Sequence, residues 1–221
     1  MNYEQAKKCL TDIRIKECEP FFKAHGMLLE MGYCELLSDK LDEAKSTFTI
    51  IRDKDLRADW AYLLIQFMKN YIQFFPSYLQ IRNFLEIDIG LLIKAGMSEY
   101  VENVINSADI FYQINQESYK FIARALINYN YWEVAKIFLN KGVDRCYNDP
   151  ELHFIYGNYH LKHGNKLLAL HEFETSLEVL PNYFPAQKMI RELTEWNYSS
   201  SSTQRFTSKR KSETFIFKDF K

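Results

Sequence analysis

The sequence predicts an all-α chain of stacked antiparallel helix hairpins. Breakers are scarce, with Gly 7 and Pro 5 in 221 residues, whereas Leu, Ile, Glu, Lys and Ala, which favour helices, are abundant. Apolar residues recur at spacings of three and four, as in MLLEMGYCELL (27–37) and VENVINSADIFY (101–112), which is the period of a helix with one buried face. The same residue classes also return every 34 positions, the mark of a repeat. Ten or eleven short helices with tight connections are expected.

The punctuation supports this in chain order. Glu19-Pro20 and Phe75-Pro76 are expected to break helical runs, because proline removes a donor and disfavours helix in the residue before it. Asp149-Pro150 and Leu180-Pro181 mark a start and a stop. Stepping back by 34 from Ala169 reaches Ala135 and then Val101. Four residues after each come Phe173, Leu139 and Ile105, and seven after each come Ser176, Gly142 and Ala108. Five before each are Gly164, Asn130 and Gly96, and twelve before each are Gly157, Ala123 and Ile89. Gly and Asn readily take the left-handed conformation that ends a helix, so the Gly96, Asn130 and Gly164 column predicts tight helix–helix turns. The small residue twelve positions earlier lets a second helix approach closely.

A weaker copy runs through Gly32, Asp39, Ala44, Phe48 and Ile51. Its Ala44 lies 57 residues before Val101, which is not a multiple of 34. RADWAYLLIQFMKNY and PSYLQIRNFLEID, between about 56 and 86, read as two apolar helices out of phase with the repeat. Residues 182–197 read as a terminal capping helix, which solenoids commonly need. NYSSSSTQRFTSKRKSETFIFKDFK then turns serine-rich and basic, so 199–221 reads as a flexible tail.

A 34-residue period with Gly, Ala, Phe and Pro at these offsets resembles the tetratricopeptide repeat family. The resemblance covers 150–183 best, then 83–116 and 116–149, then 25–58, within a repeat domain of 1–198. It departs from the family pattern at His153 and Tyr156, which fill first-helix positions of the last unit, and in the first unit, which lacks a closing proline. It implies a right-handed superhelical solenoid of about four repeats with one irregular insert, whose first helices line a concave face. That places Glu117, Lys120, Arg124 and Asn128 on one strip of the groove, and Phe154, Asn158, Leu161 and Lys162 on the next. Lys120 and Arg124, one turn apart, are expected to offer positive charge to a partner carboxylate. Only fragments of the family's carboxylate clamp for chaperone C-termini are present, so that ligand class is not expected.

Charge and cysteine usage narrow the function. The net charge of −1 conceals +4 in residues 199–221 and −5 in the rest, and an acidic body does not suit nucleic acid. Cys9, Cys18, Cys34 and Cys146 form no CxxC pair, which points to a reducing compartment and a cytoplasmic setting. The N-terminus shows no signal peptide. The most apolar window, AYLLIQFM (61–68), is far short of the roughly 20 residues of a membrane span, so no integral membrane association is expected.

Catalytic motifs such as GxSxG or a glycine-rich phosphate loop are absent. His153, His160, His163 and His171 crowd the last unit, and a metal-using enzyme at the first three is one alternative. Partly exposed histidines on amphipathic helices are the plainer reading. The expectation is a non-enzymatic, chaperone-like adaptor or scaffold that binds another protein or peptide segment and needs no cofactor. A structural subunit of a larger assembly is the other alternative.

Overall fold

The computed structural model describes residues 1–145 and 148–200, and the side chains among them up to residue 194. Cys146 and residues 201–221, most of the basic tail, lie outside the described residues. Those described form thirteen α-helices and no strand. They are α1 (Tyr3–Thr11), α2 (Ile15–Ala24), α3 (Leu28–Leu36), α4 (Leu41–Ile51), α5 (Leu56–Met68), α6 (Tyr78–Lys94) and α7 (Ser98–Asn106). Then follow α8 (Ala108–Ile114), α9 (Ser118–Asn128), α10 (Trp132–Arg145), α11 (Pro150–Lys162), α12 (Lys166–Val179) and α13 (Phe184–Ser200). The helices pack chiefly on their sequence neighbours: α3 on α4, α9 on α10, α11 on α12, with α6 joined to α9 and α13 to α12. That neighbour-to-neighbour pattern makes the chain a helical-repeat solenoid.

One turn is used seven times among the described residues. Ile13, Gly26, Asp39, Asn70, Gly96, Asn130 and Gly164 all have φ between 51° and 78°. At Gly96 the glycine N–H donates to Ile93 O at 3.0 Å and the next N–H, of Met97, donates to Leu92 O at 3.0 Å. This double bond pattern satisfies the last carbonyls of α6 and reverses the chain within two residues. Asn130 with Tyr131, and Gly164 with Asn165, repeat it at 2.9–3.0 Å, so the column expected to be left-handed is left-handed. Side chains start several other helices: Asp55, Ser77 and Asp149 each accept from backbone N–H groups in the first turn of α5, α6 and α11, satisfying donors that the helix itself leaves open.

Pro20 corrects one expectation. It lies inside α2 rather than ending it, on the exposed side of the helix beside exposed Lys16. The Lys16 carbonyl that loses its donor belongs to an exposed residue, where water can replace the bond.

The repeat columns are packing positions. Ala123, Ala135, Leu139, Ala169, Phe173 and Ser176 are fully buried. Gly157 is where α11 meets α12: a Cβ there would come within 2.4 Å of the Phe173 ring. Gly32 stands in the same relation to Phe48, also at 2.4 Å. Sixteen residues separate each pair, and the same step links Ala123 to Leu139 and Ile89 to Ile105.

The out-of-phase segment is a wedge. Helix α5 packs on α4, α7, α6 and α3. It is buried on every side, with Trp60, Leu64, Phe67 and Met68 all sealed from solvent. The 57 residues from Ala44 to Val101 exceed one period by 23, room for this 13-residue helix and its return connection.

Asp88 locks the wedge. Its carboxylate, 1% exposed, accepts from Tyr33 Oη of α3 at 3.0 Å and from Trp60 Nε1 of α5 at 2.6 Å. It also pairs with the Arg57 guanidinium, which lies 4.5 Å from the Phe84 ring centre. Burial raises the Asp88 pKa against the pull of Arg57 and the three hydrogen bonds. One carboxylate on α6 thereby joins α3, α5 and α6.

Candidate functional site

Helix α6 turns Ile81, Leu85, Asp88 and Leu92 inward. Its opposite side carries Leu79, Asn83 and Ile87, spaced by four and therefore on one face. Leu79 is 54% exposed and Ile87 55%, so this face offers two large apolar side chains to a partner. Glu86 lies beside them and reaches across to α9.

Six charges bind α6, α9 and α11 together along this face. Arg124 on α9 reaches Glu86 of α6 with Nε at 2.8 Å and Nη2 at 2.5 Å, and Glu151 of α11 with Nη1 at 2.5 Å. Lys120 Nζ lies 2.7 Å from Asp149, 3.0 Å from Glu151 and 3.3 Å from Glu117. Asp149 also caps α11, accepting from the Glu151 and Leu152 N–H groups at 3.0 and 3.1 Å. Burial works against the charge of Lys120, but the hydrogen bonds and charges of Asp149 and then Glu151 outweigh it, and its pKa is raised. Arg124 is held charged in the same way by Glu86 and Glu151. Tyr183, just before α13, stands close enough to feel these groups: burial first, then Glu151, push its pKa up to about 12. Four carboxylates face two cations, so the network carries a formal charge of −2.

The geometry gives Lys120 and Arg124 a different role from the expected one. Lys120 is only 4% exposed, and both cations already hold carboxylates of their own chain. An incoming carboxylate would have to displace Glu86 or Glu151. What the face leaves half-exposed is acidic, the Glu117 and Glu151 side chains at 39% each. Of the other strip residues, Asn128 is exposed and Asn158 half-buried. Phe154 packs on Phe173 at 5.7 Å and Tyr183 at 5.8 Å between ring centres. Leu161 joins the same small core, so these two are wall more than open anchors. Lys162 turns away, its ammonium 5.8 Å from the Trp132 ring centre. Glu86, Asp149, Tyr183, Leu79 and Ile87 are the residues that sequence reasoning missed.

The histidines do not converge. His153 is buried with Nδ1 2.8 Å from Glu172 Oε2, and His163 Nδ1 lies 2.8 Å from Tyr159 O. Among the described residues no group of three potential metal ligands forms. The His160 ring stacks on Tyr156 at 4.5 Å, and its Nδ1 is buried without a hydrogen-bond partner. Burial lowers its pKa; Glu172 opposes that, and Lys136 and His163 add to it. A group whose folded pKa lies below its unfolded value binds its proton more readily when unfolded, so stability falls as pH drops below about 6.5. We expect the urea midpoint to decrease between pH 7.5 and 5.5, and His160→Phe to flatten part of that slope. An unchanged slope in the variant would assign the acid sensitivity elsewhere.

No described helix is long and apolar enough to cross a membrane. No protein-family model matches the chain, and no curated protein matches it. Among solved structures, a chain of "Crystal structure of APC/C hetero-tetramer Cut9-Hcn1" is similar over 82% of this chain, at 14% identity and a TM-score of 0.36. This chain spans 46% of the length of that one.

Proposed function

We propose that the chain is a non-enzymatic binding scaffold that holds a segment of another protein on the open face of α6, α9 and α11. The observation that carries this reading is the pair Leu79 and Ile87, exposed beside a charged network on helices whose opposite sides are buried. The strip Glu117, Lys120, Arg124, Asn128, Phe154, Asn158, Leu161 and Lys162 is its proposed setting. In that setting Glu117, Asn128 and Asn158 meet the partner, while Lys120 and Arg124 hold the floor. A micromolar partner corresponds to about 8 kcal/mol, which a few anchors supply. The spacing of the cysteines supports a cytoplasmic location, and no cofactor is required.

The test is affinity capture with the full chain against Leu79→Glu/Ile87→Glu, followed by titration of the purified partner. Both substitutions fall on exposed positions, so the fold should survive them. The reading expects a partner bound at micromolar affinity or tighter and lost by at least about tenfold in the variant. Equal retention by both proteins would remove the face from the function.

A second reading has its own observation. Tyr71, Phe74 and Phe75, on the connection after α5, are all more than half exposed, and such a patch suits a permanent interface in a larger assembly. In that case Phe74→Ser/Phe75→Ser would abolish co-purification while the α6 variant leaves it intact.

A further inference from the structure

We infer that in the free chain the open face is occupied by the chain's own basic segment, Arg205 to Phe217, as an internal competitor of the partner. The inference rests on the scaffold reading, since it gives the same face a second occupant.

Charge points this way first. The network is left with −2, Glu117 and Glu151 being its most exposed groups, and Arg205, Lys209, Arg210 and Lys211 against Glu213 give the segment a formal charge of +3. Reach is adequate. Tyr183 packs on Phe154 of α11 at 5.8 Å between ring centres and leads directly into α13, which is 17 residues and so about 25 Å long. Residues 201–211, extended at about 3.3 Å each, span about 36 Å. The basic cluster can therefore run back past the start of α13 with length to spare. The apolar spacing agrees as well. From Glu86 to Leu79 along α6 is about 10 Å, and from Lys211 to Phe215 in an extended chain is about 13 Å. With the basic cluster on Glu117, Glu151 and Glu86, Phe215 falls near Leu79. Tethering makes weak contacts sufficient, because a short linker holds the segment at millimolar effective concentration.

The experiment uses the full chain. Carbodiimide treatment of a mixture of light and heavy-nitrogen protein joins lysine amines to carboxylates in contact, and mass spectrometry separates links within one molecule from links between two. The expected links join Lys209 or Lys211 to Glu86, Glu117 or Glu151 within one molecule, and they fade in high salt. In parallel, a synthetic peptide of residues 203–221 is titrated into the full chain and into Lys209→Glu/Arg210→Glu/Lys211→Glu. It should bind the reversed-charge chain about tenfold more tightly, since that face is vacated, and Leu79→Ser in that chain should weaken the binding. Links confined to other carboxylates, links only between molecules, or equal peptide affinity for both chains would each overturn the inference. A partner held by a face that the tail never touches defeats this inference alone. A tail seated on a face that captures nothing after charge reversal upholds it and defeats the scaffold reading.

Discussion

Replacing Asp88 by Ala is expected to destabilise the fold by about 3–5 kcal/mol, the usual result of removing one partner from a buried ion pair. The substitution strands three donors at once: the Arg57 guanidinium, the Trp60 indole N–H and the Tyr33 hydroxyl. Tyr33 and Trp60 are buried and Arg57 is only 19% exposed, so solvent replaces the lost acceptor poorly. For a chain of this size each kcal/mol moves the melting temperature by about 2–4 °C, so a fall on the order of 10 °C is expected. Asp88→Asn should lose less, because its amide oxygen still accepts from one neighbour. The pair Arg57→Met/Asp88→Leu should recover part of the loss, since an apolar pair leaves no uncompensated charge. Thermal unfolding followed by circular dichroism measures all three. An Asp88→Ala protein that melts with the parent would mean the lock is not closed.

Gly157→Ala is the second large effect, and its sign runs against intrinsic helix propensity. In an exposed helix the change gains about 1 kcal/mol. Here the new methyl would sit 2.4 Å from the ring of Phe173, which is fully buried and closed in by Phe154. Overpacking of this kind costs about 1–3 kcal/mol, leaving a net loss. The chain itself suggests the remedy. At the equivalent positions of the preceding unit the pair is Ala123 with Leu139, a larger residue facing a smaller one. Gly157→Ala combined with Phe173→Leu should therefore be less damaging than the sum of the two single changes, with a coupling of at least about 0.5 kcal/mol. Strict additivity in denaturant unfolding would show that the two positions do not compensate each other.

Much of the scaffold was legible because its signals are local. Gly96, Asn130 and Gly164 announce turns by what their backbones tolerate, and the small and large residues flanking them mark the packed faces. Helix α5 was harder to place, because a helix buried on every side has no amphipathic rhythm to read. Glu86 and Asp88 share the apolar run LEIDIGLLI, and nothing in the run itself says that Asp88 is the acid buried with partners.

The face was half legible. A step of 34 back from Lys120 lands on Glu86, and a step of 34 forward from Glu117 lands on Glu151. The period therefore held two of the four carboxylates that occupy the cations, Glu86 and Glu151. It does not say that they meet, because contact between successive first helices depends on how closely the hairpins stack. A single sequence leaves that distance open. The same ignorance made Lys120 look available when it is sealed beneath Asp149 and Glu151.

The wedge has a consequence for how this chain can change length. Beyond Asn115 the hairpins share one left-handed turn, at Asn130 and Gly164, and Asn115 and Asp149, 34 residues apart, each accept from the N–H two residues on. A whole 34-residue block inserted or deleted there would meet matching ends. Before Asn115 such an exchange is costly: Asp88 accepts from α3 and α5 together, so removing either leaves a buried carboxylate short of donors. Growth by duplication is thus open at the C-terminal side and disfavoured at the N-terminal side, and relatives of this chain should differ in repeat number after Asn115 while keeping the α3–α5–α6 block intact.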